Sequence, residues 1–302
     1  MNNNNIYVRN KTSIKTILLT RLLFIFPLII YGCYKNGVYL YIHDYGNIFD
    51  LFRPIILILI GALIGGFVNI FYEKIIKRNK DNIIDVLFSS FHIEYGILLA
   101  CISSVNTNIL IFSLITLGML FISKFFKNRI NIIALTFILI YLLSIVKGNY
   151  IFANTYELSK NFQLNLFDYL IGRGPGGLAA THIILIGLAI AGLYLTNNNK
   201  NEITINASLS YGIPVIIYSL ITKQSILESL FLNNYIFIFS FIATDTVTSC
   251  YTNKGKQVFG ILIGLFTFAF RFLNPILAPF ISVALISLLN NLIDRKVNRM
   301  KN

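Results

Sequence analysis

Ten apolar runs, each near the roughly 20 residues that a helix needs to cross the hydrocarbon core of a bilayer, divide this chain. They cover residues 14–34, 54–72, 84–103, 107–125, 130–147, 178–196, 203–222, 226–245, 257–273 and 275–293. The pattern predicts an all-α polytopic membrane protein of about ten transmembrane helices. Two runs are less uniform than the rest. The third carries Asp85, His92 and Glu94, and the eighth carries Glu228, Asn233, Asn234 and Asp245. These two are the candidates for broken or half-crossing helices. A single long polar loop, residues 148–177, interrupts the series at its middle. It divides the chain into a first five-helix half (1–150), an external linker loop (151–177) and a second five-helix half (178–302). A-C-I-S-S-V-N-T-N at 100–108 and A-T-D-T-V-T-S-C-Y-T-N at 243–253 each close a polar-containing run on a Thr-Asn turn. That likeness fits two inverted five-helix repeats, an architecture that places sites at the repeat interface.

Composition agrees with this reading. The chain is 56% hydrophobic and 12% charged with a mean hydropathy of +0.73, a balance foreign to soluble domains. A net charge of +13 would suit nucleic acid, but the Lys and Arg residues fall between the apolar runs, where they fix topology instead. No nucleic-acid partner is expected. With ten crossings and the N-terminus inside, only Lys35, Arg53, Lys147, Lys160, Arg173, Lys223 and Arg271 of the 25 Lys and Arg residues lie outside. Both termini are therefore expected on the cytoplasmic side of the membrane, with the lipid bilayer as the first partner. The first run lacks a small-residue cleavage site and is long enough to span, so it reads as a helix and not a signal peptide. Cys33, Cys101 and Cys250 are far apart, as are His43, His92 and His182, which speaks against an iron–sulfur or zinc site. Seventeen tyrosines and no tryptophan leave Tyr to form the interfacial belt.

Candidate chemistry is confined to a few places. Asp245 sits among Thr244, Thr246, Thr248 and Ser249 at the end of an apolar run. An ionisable group there is a functional hypothesis by default, with hydroxyls ready to help hold something small and polar; a solvated helix end has the same composition. Glu94 and His92 make a further polar point. The turn G-R-G-P-G-G at 172–177 could aim backbone N–H groups at an anion, with Arg173, Gly174 and Gly176 contributing; a plain flexible turn ahead of a helix reads the same way. Gly61, Gly65, Gly66, Gly260 and Gly264 have the small-x-x-x-small spacing of closely packed helices.

Several motifs together resemble the NqrB/RnfD family, the flavin-carrying membrane subunits of the sodium-pumping NADH:quinone reductase and of the Rnf complex. They are A-T-D at 243–245, V-T-S at 247–249, T-N-K-G-K at 252–256, G-x-L-I-G at 260–264, R-x-x-N-P at 271–275 and L-I-D at 292–294. V-R-N at 8–10, Pro27 and G-x-Y-x-x-G at 32–37 extend the likeness to the start of the chain. The resemblance implies a five-plus-five fold similar to that of urea transporters. It also implies a role in passing electrons through flavin within a redox-driven ion pump. FMN is the implied cofactor, with riboflavin as a second flavin. Other subunits of a membrane electron transport complex are the implied partners, including an FMN-binding periplasmic subunit and a six-helix membrane pair, and sodium or protons are the transported species. Asp245 and Asp294 match positions linked with cation passage, and Thr244 and Thr248 lie in the same matched segment. In the family, FMN is attached through its phosphate to the threonine of an S-G-A-T motif. This sequence has no such motif, and Thr155 is the only threonine in the corresponding loop. The family's P-G-S-x-G-E-T turn is P-G-G-L-A-A-T at 175–181. These departures leave two other readings beside the flavin carrier: a flavin-free scaffold or ion-path subunit, and a solute channel or transporter of the same fold.

Overall fold

The computed structural model describes residues 13–43, 46–125, 130–146, 165–196, 200–231 and 234–299, and its secondary structure is helical, with no strand among the described residues. The first half comprises α1 (Ile14–Ile42), α2 (Ile48–Ile76), α3 (His92–Ile102), α4 (Ile109–Phe125) and α5 (Ile132–Val146). The second contains α6 (Ile183–Leu195), α7 (Asn201–Thr222), α8 (Tyr235–Phe237 continuing through a wide π turn, Ile238–Ile242), α9 (Asn253–Phe270) and α10 (Ala278–Leu288), and shorter helices lie at Ile83–Leu87, Leu166–Leu170, Ile226–Phe231 and Asn290–Arg299, the last carrying Asp294. Local chemistry sets several starts. Ser13 accepts the Thr16 N–H ahead of α1, Asn47 and Asp50 form a capping box on α2, and Thr252 accepts the Gly255 N–H in α9. Each cap satisfies a backbone donor that the first turn leaves unpaired.

The third and eighth runs form short helices, as do α6 with 13 residues and α10 with 11, and among the described residues three helices, α1, α2 and α7, are long and apolar enough to cross a membrane. α3 has 11 residues, buried from end to end, and α8 begins at Tyr235, after Asn234 in a left-handed conformation. Beyond each half-helix the chain runs on without regular helix, through Ser103, Ser104 and Thr107 in one case and Thr244 to Ser249 in the other, and these polar residues are mostly buried. Irregular backbone at such depth must find its partners within the protein. Ala179 N donates to Cys101 O and Leu178 N to Ser103 O, both at 2.9 Å. Asn131 Nδ2 donates to Ile242 O at 2.9 Å.

The two half-helices run in opposite directions. Gly177 bonds through its N–H to Asn234 Oδ1 at the start of α8 and packs on the Ile102 carbonyl at the end of α3. At the other end, Asp245, just past α8, accepts from Tyr95 in the first turn of α3. Internal packing repeats in both halves. α3 lies antiparallel on α2, with Gly96 on Gly61 and His92 on Gly65; α8 lies antiparallel on α7, through Thr204 with Phe239 O and Tyr211 with Tyr235. α4 runs parallel to α2, from Arg53 with Asn106 to Phe71 with Phe121, and α9 runs parallel to α7, with Gly260 on Ile203 and Gly264 on Ala207. Much of the linker loop expected from the sequence lies outside the described residues.

Gly61 and Gly96 meet backbone to backbone, so an added side chain at Gly61 would drive into the Gly96 carbonyl. Gly61→Leu is expected to destabilise the fold by about 1–3 kcal/mol through overpacking. Gly118→Leu, whose Cβ would meet nothing within 4 Å, is expected to stay within about 0.5 kcal/mol. Thermal midpoints of the two variants in detergent check the contrast.

Candidate functional site

Where the half-helices cross end to start, the bundle buries three charges. Arg21 lies in α1, inside an apolar run, and is 2% exposed; Glu94, in the first turn of α3, is 1% exposed; Asp245 is 4% exposed. The charge pattern along the sequence groups Arg21 with the loop charges of the inner face, but the structure places it within the bundle, a position where an ionisable group is retained only with partners. Its Nε lies 2.6 Å from Glu94 Oε1 without directing its hydrogen there, so the contact is an ion pair and not an aligned hydrogen bond. Its Nη2 donates to Phe241 O at 2.8 Å, one of the carbonyls at the end of α8. Glu94 Oε2 is buried with no hydrogen-bond partner.

Asp245 is held by neutral donors alone. Tyr95 Oη donates to Oδ1 at 2.9 Å, and Thr248 donates to Oδ2 from its N at 3.1 Å and its hydroxyl at 2.7 Å. Among the described residues no cationic group comes within 4 Å of it. The guanidinium thus pairs with Glu94 and not with Asp245, which has a longer-range charge interaction with Lys200. In a low-dielectric interior a charge without a close partner is costly, so Asp245, with only neutral donors in contact, is the point where a proton or a metal cation is favoured.

The loop from Ala243 to Thr252 is fastened on every side. Asn131 Nδ2 reaches Thr248 Oγ1 at 3.1 Å, and Asn290 Nδ2 donates to Thr248 O at 2.9 Å. Lys200, just ahead of α7, donates to Ser249 Oγ at 2.7 Å, and burial lowers its pKa to about 8. Asp294 accepts from Tyr251 N at 3.0 Å, Thr252 N at 3.2 Å and Thr252 Oγ1 at 2.6 Å. Asp294 therefore holds the entry to α9, while Asp245 faces α3; the two aspartates are not brought onto one point. Thr244 turns its hydroxyl back to Ser240 O, and Thr248 is a direct partner of Asp245.

The turn at 172–177 lies by the far end of α3, and the stretch of helix between Tyr95, which meets Asp245, and Ile102, which meets Gly177, is about 10 Å long at 1.5 Å per residue. Gly172 adopts φ +79°, which favours glycine. Arg173 Nη1 pairs with Asp168 Oδ1 at 2.8 Å. Gly174 packs on the Tyr169 ring, and Gly176 fits between Thr181 and Asn234. Phosphate binding at such a turn needs uncommitted N–H groups. Here the N–H groups of Gly172, Arg173, Gly177, Leu178 and Ala179 are all bonded within the protein. Lys35, a loop charge by the sequence pattern, is buried below the turn and donates to Gly174 O at 2.6 Å and Thr181 Oγ1 at 3.2 Å. Most donors of the turn, and the Arg173 guanidinium, are therefore engaged within the protein, which leaves little of it to hold a flavin phosphate. Thr155 lies outside the described residues.

Arg21, Tyr95, Asn131 and Lys200 are site residues that the sequence alone does not single out. Arg21 carries a usable signal, a lone charge inside an apolar run. The others have none.

A family model described as the NQR2, RnfD, RnfE family matches residues 1–301. The NqrB protein of the Na(+)-translocating NADH-quinone reductase of Chromohalobacter salexigens is 27% identical over 127 residues, covering 40% of this chain and 31% of that relative's length. The match to the family runs through both half-helices and the loops that follow them, and the chain belongs to the NQR2, RnfD, RnfE family.

Proposed function

We propose that this chain is the ion-path subunit of a redox-driven, ion-translocating electron transport complex. The single observation that carries the reading is buried Asp245, held by neutral donors alone beside the buried Arg21–Glu94 pair, in which Glu94 Oε2 has no donor. Sodium or a proton supplies the missing charge. The half-helix ends help hold it, because the C-terminus of α8 directs its carbonyls toward the cluster, where positive charge is favoured. In this reading residues 1–150 and 178–302 form the two halves whose interface is the path. Other membrane subunits supply the electron chemistry, and the chain sits in a bacterial inner membrane with both termini cytoplasmic. The test is cation uptake driven by electron transfer in vesicles carrying the assembled complex, with Asp245→Asn as the diagnostic variant.

Flavin carriage, implied by the resemblance, has its own readout. Since Arg173 and most backbone donors of the 172–177 turn are engaged, the purified chain co-expressed with a flavin transferase is expected to give a non-fluorescent band after denaturation, with no free flavin released. A fluorescent band that vanishes in Thr155→Ala would instead establish attachment at that hydroxyl and make the chain an electron carrier as well.

A further inference from the structure

Lys200 lies beside the Asp245 loop in an unusual setting for a lysine. Its ammonium faces three oxygens of that loop: Ser249 Oγ at 2.7 Å, Ser249 O at 3.3 Å and Thr246 O at 3.4 Å. The Tyr251 ring lies 4.5 Å away on centroid. Two carbonyls, a hydroxyl and an aromatic face are what a desolvated monovalent cation requires, since carbonyl oxygens replace its hydration shell and a ring face attracts its charge. A lysine head group is a compact point charge with three donors, and here it has three oxygens to meet. Independently, Thr246 Oγ1 in the same loop is buried and has no hydrogen-bond partner, so the loop holds one more oxygen than the ammonium uses.

We propose that the Lys200 ammonium occupies a monovalent-cation site formed by Thr246, Ser249 and Tyr251, and that it gates the approach to Asp245 from this side of the bundle. No carboxylate lies within ion-pairing distance of Lys200 among the described residues, so carbonyl and hydroxyl oxygens hold the charge. The same loop binds Asp245 through Thr248. A cation arriving from this end therefore meets a site already filled by a tethered positive charge, and it advances only when Lys200 swings out. Glu202, two residues along the chain, contacts Lys256 at 3.8 Å and does not hold Lys200. The gate rests on the ion-path reading; occupancy of the site by an alkali cation is measured without any flux and stands or falls separately.

The experiment compares the purified full-length wild type and Lys200→Met in detergent, with sodium, potassium or choline chloride at equal ionic strength. Lys200→Met is expected to melt about 2–4 °C higher in at least one alkali chloride than in choline, and to bind radiolabelled sodium or rubidium saturably. Wild type is expected to respond to the alkali chlorides less than Lys200→Met, any response of its own arising at Asp245. Adding Ser249→Ala to Lys200→Met is expected to bring the alkali response back to the wild-type level, since it removes the oxygen nearest the ammonium. The sodium and potassium arms identify which ion the cradle takes. An equal response of Lys200→Met to choline and to both alkali cations, with no saturable binding, overturns the site. So does an alkali response in wild type as large as in the variant, because it would show that Lys200 does not occupy the cradle. Lys200→Gln, which keeps a donor for Ser249 but no charge, is read in the same way if the methionine variant is not recovered folded.

Discussion

Arg21→Met is expected to cost about 3–5 kcal/mol of stability, the range for removing one partner of a buried ion pair, and Arg21→Met/Glu94→Gln is expected to recover most of that loss. The single substitution leaves Glu94 buried without its cationic partner. The double substitution removes the orphaned charge on Glu94. It does not restore the donor that Arg21 Nη2 offers to Phe241 O at 2.8 Å, so a residual loss of about 1–3 kcal/mol is expected from that unpaired carbonyl. Melting of all three proteins with Glu94→Gln alone closes a double-mutant cycle, which isolates the interaction of the pair. If the double variant is no more stable than Arg21→Met, Glu94 does not carry the unbalanced charge and the electrostatic account of the cluster fails.

Asp245→Asn is expected to reduce cation uptake by the assembled complex at least tenfold, about 1.4 kcal/mol in barrier terms, while the chain still inserts and assembles. Asparagine keeps the shape and an oxygen to accept from Tyr95 or Thr248, but it removes the charge that attracts the cation. Tyr95→Phe deletes one neutral donor to Asp245 and is expected to have a smaller effect in the same direction. The variants share the fold contacts of wild type, so loss of flux in Asp245→Asn with normal assembly assigns the charge itself to the path. Wild-type uptake by Asp245→Asn would falsify the ion-path reading and return the chain to a scaffold or to a transporter with another route. Failure of the alkali response at Lys200, with the Asp245→Asn result intact, would leave the path and remove only its gate.

The flavin expectation shows how a motif is weakened by its surroundings. In sequence, G-R-G-P-G-G before a helix is an acceptable anion turn. Within the fold, the Arg173 guanidinium is bonded to Asp168, Gly176 closes against Thr181 and Asn234, and Gly177 donates to Asn234. The glycines serve close approach of the turn to α3 and α8. Asp294 teaches a similar lesson: a carboxylate near the end of the last apolar run turns out to bind the backbone at the start of α9, which is a cap reaching across from another element.

Much of the architecture follows from short-range pattern. Apolar runs of membrane-spanning length leave helix as the answer, because each backbone group must bond within its own segment when no water is at hand. The polar residues of the third and eighth runs mark the half-helices, and Ser13, Asn47 and Thr252 mark helix starts, since capping depends on neighbours within four residues. The site is another matter. Arg21 meets Phe241 across 220 residues and Tyr95 meets Asp245 across 150, pairings that exist only after the two halves pack against each other in opposed directions. Hydropathy assigns a lysine or an arginine to the nearest loop, and so places Lys35 and Arg21 there. The folded bundle instead buries both, because carbonyls at the unwound ends of distant segments, and Glu94 for Arg21, give those charges partners that no local window contains.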